Sequence, residues 1–381
     1  MRQAPAPATA QLGSSDQLEY SETELLADHD IAEPLIANGV RCHGGYDTDG
    51  NYVSPRTKNR WPAIKAWEAK RQADFGTDIL DIPLERWPAS FPSVEQSKYL
   101  LESGVPGPTI SSLTRIGTVE GFGGMLRLLP IPDFRASFAE DITGTAIDHI
   151  DGGLFEAHAR DEAGFGDEAG HKDMWFVARD IAFDNPVSED ETGFMLARMG
   201  IGAGRRSAAD LAQVQARALA SRSLPDDIDF RLETLVARMI GLLLIEISAF
   251  HSFAWAEAVL SDENLVAGNG EAAQLVAYIR SDESPHVAWL RTALSEMRDR
   301  TWVGSDGARH AGTDMIGRLW GRAVEESLYL RRQENLAGTW REIEFALKGR
   351  SDSADLLAEM MSLGTVIRCE DGTFTDGIRT D

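Results

Sequence analysis

The stretch EAAQLVAYIRSDESPHVAWLRTALSEM, residues 271–297, decides how the chain is read. Its apolar residues recur at helical spacing, yet its centre reads Asp282-Glu283-Ser284-Pro285-His286. Glu283 and His286 stand three apart and so share one face of a helix. A proline in a helix interior removes a backbone hydrogen bond and costs about 3 kcal/mol or more. Here it sits beside an acid and an imidazole, with Tyr278, Ile279, Val287, Trp289 and Leu290 around them, which points to backbone shaped around a site. The plainer alternative is a surface helix break with His286 half exposed.

The preceding apolar segment supplies a third group. Glu246 stands in GLLLIEISAFHSF, residues 241–253, with apolar neighbours on nearly all sides. A lone carboxylate buried there costs several kcal/mol unless a proton, an arginine or a metal ion compensates it. The turn DENLVAGNG, residues 262–270, can be made by Gly268 and Gly270. Folding the chain back at that turn brings Glu246 level with Glu283 and His286. A Glu on one helix and a Glu-x-x-His on its neighbour form half of a di-metal carboxylate site.

The other half is sought upstream. DEAGHKDMW, residues 167–175, echoes DESPHVAWL, residues 282–290, and repeats the motif as Glu168-x-x-His171. Glu120, in IGTVEGFGGML, is the second carboxylate in an apolar helix, and Gly117, Gly121 and Gly124 leave room for a close neighbour. Glu120 and Glu156 are 36 residues apart, against 37 for Glu246 and Glu283, so spacing names Glu156 the counterpart of Glu283. The position matching His286 is then Ala159; His158 is adjacent but on another helical face. His171 beyond the following turn, or His149, would fill that role. Phe138, Ile142, Thr145, His149, Gly152 and Glu156 run along one face of an expected helix over 134–163.

With Glu120, Glu156, His171, Glu246, Glu283 and His286, and with Glu168 and His149 as further candidates, the chain resembles the ferritin-like di-iron carboxylate superfamily. That superfamily includes ribonucleotide reductase small subunits, acyl-carrier desaturases and rubrerythrins. The resemblance covers roughly residues 108–299. It departs from the pattern in the first half, where the intact Glu-x-x-His comes late, just after a turn. It implies an all-α, ferritin-like four-helix bundle with additional N- and C-terminal helices. It also implies two iron ions per chain, or manganese with iron, and an oxidase or oxygenase that uses dioxygen and an electron donor to oxidise a small-molecule substrate. Dimers are common in the superfamily, so a homodimer is an expectation too. Asp148, Arg160, Arg179 and Asp282 are candidate partners of the ligands, and Tyr278, Phe250, Trp175 and Trp289 candidate pocket walls. Two readings from other classes are a metal-free helical scaffold, with Glu246 and Glu283 neutralised by arginines, and a metal-dependent hydrolase.

The whole chain sets outer bounds. Its 381 residues carry a formal net charge of −24, which argues against nucleic-acid and anionic-membrane partners. The most apolar window, residues 239–260, is interrupted by Glu246, His251 and Glu257 and reads as a buried helix rather than a membrane span. Cys42 and Cys369 suggest no disulfide framework or zinc motif. MRQAPAPATAQLGSS lacks a signal-peptide pattern, so a cytoplasmic protein is expected. The expected organisation is a disordered leader over 1–20, an N-terminal extension over 21–107, the bundle over 108–299, and C-terminal helices with an acidic tail over 300–381. Almost no period-two alternation is found, and helices are expected from about residue 95 onward, including 207–221.

Overall fold

The computed structural model describes residues 17–53, 56–83, 86–183, 187–198 and 222–376. The expected helix over 207–221 and most of the expected leader lie outside the described residues. Helices dominate, and the protein is of the all-α class with a few short strands. The principal helices are α1 (Arg60–Phe75), α2 (Gly107–Glu120), α3 (Phe155–Ala163), α4 (His171–Ala182), α5 (Phe230–Leu260), α6 (Glu271–Arg298), α7 (Gly312–Glu325) and α8 (Arg331–Ala346).

The two longest helices, α5 and α6, pack against each other after the chain turns back over 261–270. Gly268 and Gly270 have φ of 86° and 84°, the left-handed region that glycine enters at no steric cost. Asp229 caps the start of α5 by accepting from the Arg231 N–H at 2.8 Å. Helix α6 runs through Pro285 without ending. Helix α2 packs on α4, and α4 on α6. A Cβ at Gly117, Gly121 or Gly124 would overlap Trp175, Lys172 or Ala163 respectively, so these three glycines let α2 and the turn after it approach α4 and α3.

Two apolar clusters meet along the α5–α6 pair. One contains Leu232 to Ile247 of α5 with Trp289 to Met297 of α6. The other contains Ala249 to Leu260 of α5 with Ala272 to Ile279 of α6. Glu246, Glu283 and His286 form a polar layer at their junction. Among the described residues no helix is long and apolar enough to cross a membrane.

Three expectations change. The helix expected over 134–163 is broken into Phe134–Ser137, a 3-10 turn Ile147–His149, a distorted π-turn Ile150–Leu154 with Gly153 at φ 129°, and α3. Strands do occur near the N-terminus: β1 (Glu33–Ala37), β2 (Val40–Tyr46) and β3 (Tyr52–Val53) form an antiparallel sheet in that order. Residues 42–45 of β2 are buried in succession, so β2 shows no alternation to read. The end of the expected leader is tied down. The Leu18 carbonyl accepts from Trp67 Nε1 at 2.8 Å, and the Tyr20 N–H donates to His149 Nε2 at 3.0 Å.

Candidate metal centre

Glu283 and His286 share a face of α6, and Glu283 Oε2 lies 2.6 Å from His286 Nδ1. The other oxygen, Oε1, lies 2.6 Å from Nδ1 of His171, the first residue of α4. One carboxylate therefore spans two imidazoles from different helices. Glu162, on the last turn of α3, does the same with a single oxygen: its Oε1 is 3.1 Å from His286 Nδ1 and 3.4 Å from His171 Nδ1. Glu120, the last residue of α2, completes a group with Glu162, His171 and Glu283, while Glu246 joins His158, Glu162 and His286. Within each group the ligand atoms lie within 4.8 Å of one another, and every member is buried.

The imidazoles are oriented from behind. His286 Nε2 lies 2.9 Å from Asp161 Oδ2, which also accepts from Arg60 at 2.5 Å, while Asp161 Oδ1 is 3.1 Å from His43 Nε2. His171 Nε2 faces Asp282 Oδ2 at 3.6 Å, and the Tyr52 hydroxyl donates to the same oxygen at 2.8 Å. Carboxylates on the outer nitrogens would retain a proton there once the inner one is released, so that loss of the Nδ1 proton leaves a lone pair facing inward, the tautomer a metal needs. His158 is arranged the other way. Trp289 Nε1–H donates to its Nδ1 at 3.2 Å, so the proton of the neutral ring sits on Nε2, 3.2 Å from Glu246 Oε1. His158 Nε2 thus lies in the group with Glu162, Glu246 and His286, but in this tautomer it carries a proton and is not a ligand, and it makes no hydrogen bond.

The charges explain themselves. Burial, then the charges of Glu283 and Glu162, push Glu120 and Glu246 well above the usual carboxylate range. Burial also opposes ionisation of Glu283, but His171 and His286 outweigh it and hold that carboxyl well below its ordinary value. The two histidines are raised in turn: burial works against their cationic forms, and Glu283 more than offsets it. Burial, then His286, keeps His158 well below the ordinary histidine value and neutral.

Four glutamates and two histidines therefore converge on two adjoining points, with protons as the resident counter-charges. Glu162 Oε1 and Oε2, Glu283 Oε1 and His171 Nδ1 are buried and make no hydrogen bond, despite the short separations. Atoms that approach closely without hydrogen-bond alignment suit shared ligation of an ion, and carboxylate with imidazole suits iron or manganese.

Of the residues named from sequence, Glu120, His171, Glu246, Glu283 and His286 are brought together. Glu156, Glu168 and His149 are not. Glu156 points to Arg160 at 2.8 Å and Arg127 at 3.7 Å. Glu168 pairs with Arg56 at 2.7 Å and Arg41 at 3.2 Å. His149 stacks on Trp67 at 4.7 Å. The irregular backbone over 138–154 resets the helical phase, so the inward stripe through His149 and Glu156 does not form, and α3 turns His158 and Glu162 inward instead. His158-x-x-x-Glu162 on one face was the available signal. The loop 164–170 then brings His171 back beside Glu162, which requires Gly164 and Gly170 to approach more closely than any Cβ allows. Among the expected partners, Asp282 faces His171. Asp148 pairs with Arg135, Arg160 with Glu156, and Arg179 with Asp180.

Glu120 is also the point where the site opens. A cavity of about 570 Å³ lies between α2, α5 and the start of α8, and Glu120, 8% exposed, is part of its wall. Its aromatic walls are Trp87, Phe91 and Trp255, rather than Trp175, Trp289, Tyr278 or Phe250. Comparison with protein-family models, with curated proteins and with solved structures returns no match.

Gly123 gives a test of Glu162. A Cβ at Gly123 would overlap the Glu162 side chain. Gly123→Ala is expected to displace that carboxylate and lower metal affinity by about 10–100-fold, the usual scale for disturbing a ligand's support. Titration of the purified variant with ferrous iron under argon checks it; wild-type affinity would show that Glu162 is not needed.

Proposed function

We propose that this chain is a non-haem di-iron, or manganese–iron, oxidoreductase of the ferritin-like type, which uses dioxygen to oxidise a small organic molecule. The observation that carries the reading is the sharing of Glu162 and Glu283 between two buried imidazoles. In chain order the set is Glu120, Glu162, His171, Glu246, Glu283, His286. This is the order of the carboxylate bundle, with the first Glu-x-x-His opened into Glu162 and His171 across a loop. The four helical positions of the bundle are α2, α3 with α4, α5 and α6.

When bound, the metal pair supplies two electrons to dioxygen, for return by an external donor. The chain's own groups do the rest. Asp161 and Asp282 hold the histidines with Nδ1 inward. Arg60 and Tyr52 hold those two carboxylates from outside. Glu120 and Glu246 carry protons in the metal-free protein and release them on loading, as do His171 and His286, so affinity rises with pH. The apolar clusters on either side keep water out, and the cavity at Glu120 admits substrate.

No arginine lies within ion-pair distance of Glu246 or Glu283 among the described residues, which counts against the scaffold reading. After anaerobic iron reconstitution the protein should carry about two ions per chain, and the reduced form should consume dioxygen. Less than about 0.2 equivalents of bound metal would favour a scaffold. Two metals without dioxygen consumption would favour a hydrolase.

A further inference from the structure

We infer that the cavity beside Glu120 takes an organic anion with an apolar body, its charged end held at Arg115 and Arg331. The inference rests on the dioxygen-activating reading for what happens to that molecule; the binding itself does not require metal.

The charge of the wall carries the argument. The chain has 61 acidic and 37 basic side chains, so an arbitrary surface should be acidic. Yet the charged residues of this wall are Arg115, Arg331, Arg332 and a single acid, Glu120, which belongs to the metal-ligand set. The arginines are held by partners that are not part of the wall. Arg115 donates to Glu342 at 3.1 Å and Arg331 to Glu326 at 2.6 Å. Each of these bonds uses one N–H of a guanidinium that carries five, so donors remain on both side chains. Arg332 donates to the Ala89 carbonyl at 2.9 Å, tying the segment that covers the cavity to α8.

The rest of the wall is mainly apolar. Ile116, Val119, Leu244 and Leu328 lie among the lining residues. Arg115 and Glu120 are five residues apart on α2, roughly 7–8 Å along the helix axis. Both line the cavity, so the apolar body of a carboxylate held at Arg115 would share that space with Glu120. The backbone next to Arg331 is a π-turn, Glu326–Leu330, and Ser327 and Leu328 from that turn line the cavity. Such turns occur frequently at functional sites. A cationic ligand would meet three guanidiniums, and a neutral one would gain a hydrogen bond from them but no ion pair.

The test is isothermal titration of the metal-free full-length protein with decanoate, 1-decanol and decylamine. Decanoate is expected to bind about tenfold or more tightly than either of the others, through an ion-paired, two-oxygen contact with guanidinium that they cannot make. Arg115→Gln and Arg331→Gln, made singly, should each weaken decanoate and leave decanol unchanged, while Arg331→Lys should weaken it less than Arg331→Gln. Equal or tighter binding of decanol or decylamine, no binding of any of the three, or decanoate affinity unchanged in both glutamine variants would overturn the inference. Because no metal is present, these outcomes are separate from the metal reading: decanoate binding in a protein that fails to load iron would remove the oxidoreductase and keep the anion site.

Discussion

Glu283→Gln should lose both ions and destabilise the metal-free protein by about 3–5 kcal/mol, the cost of removing one partner from a buried charged set. Its two oxygens lie 2.6 Å from His171 and 2.6 Å from His286, and among the described residues no other single side chain touches both halves so closely. Without that charge the two imidazoles stay buried with less to offset a proton, and their raised affinity for it collapses. The effect has a pH signature. The folded Glu283 titrates well below the ordinary carboxylate range, so its stabilisation is fully present above the unfolded value of about 4.3 and is lost as pH falls through the folded value. Wild type and variant should therefore differ most near neutrality and converge in acid. Denaturant unfolding of both proteins in chelator, across pH, checks this. A variant as stable as wild type at pH 7 would mean that Glu283 is not the counter-charge of the pair.

Glu246→Gln should behave oppositely. Glu246 is 3% exposed, and burial together with neighbouring carboxylates raises it well above its ordinary range. The folded chain keeps a proton that the unfolded chain releases above about pH 4.3, so wild-type stability is penalised as pH rises from there toward the folded value. Glutamine removes that penalty and keeps the volume. The metal-free variant should be as stable as wild type or more so, with the gain largest at neutral pH and absent near pH 4. With ferrous iron the order reverses, because wild type gains the free energy of ligand binding to the folded state and the variant loses much of it. Thermal melts of both proteins, with chelator and with iron under argon, give the comparison. Destabilisation of the variant by about 3–5 kcal/mol in both conditions would instead mark Glu246 as one partner of a buried ion pair.

The two halves of the site differ in how legible they were. Glu246, Glu283 and His286 could be placed from sequence because a single short turn joins two uninterrupted helices, and helical phase then fixes which residues meet. The first half lacks that regularity. Equal spacing pointed to Glu156, but the helix it assumed is interrupted before Phe155, and phase carried from Phe138 means nothing beyond the interruption. The echo at 167–175 correctly brought His171 forward, but it misassigned Glu168. That residue is claimed by Arg41, from an N-terminal hairpin whose backbone pairs with the loop at Ala169, and by Arg56, which follows the third strand. Asp161 was invisible for the same reason: Arg60 and His43, which hold its charge, lie about a hundred residues or more upstream. The cavity was hidden too, since residues 87–92, 112–120, 244–255 and 327–339 meet only in the folded chain.

The central claim is that Glu162 and Glu283 are shared by two metal ions. Anomalous diffraction from crystals of the reconstituted protein, collected at the iron and manganese edges, tests it most directly. The account predicts two peaks, one among Glu120, Glu162, His171 and Glu283 and the other among Glu162, Glu246, Glu283 and His286. A single peak, peaks away from these residues, or none in a crystal grown with excess ferrous iron would contradict it.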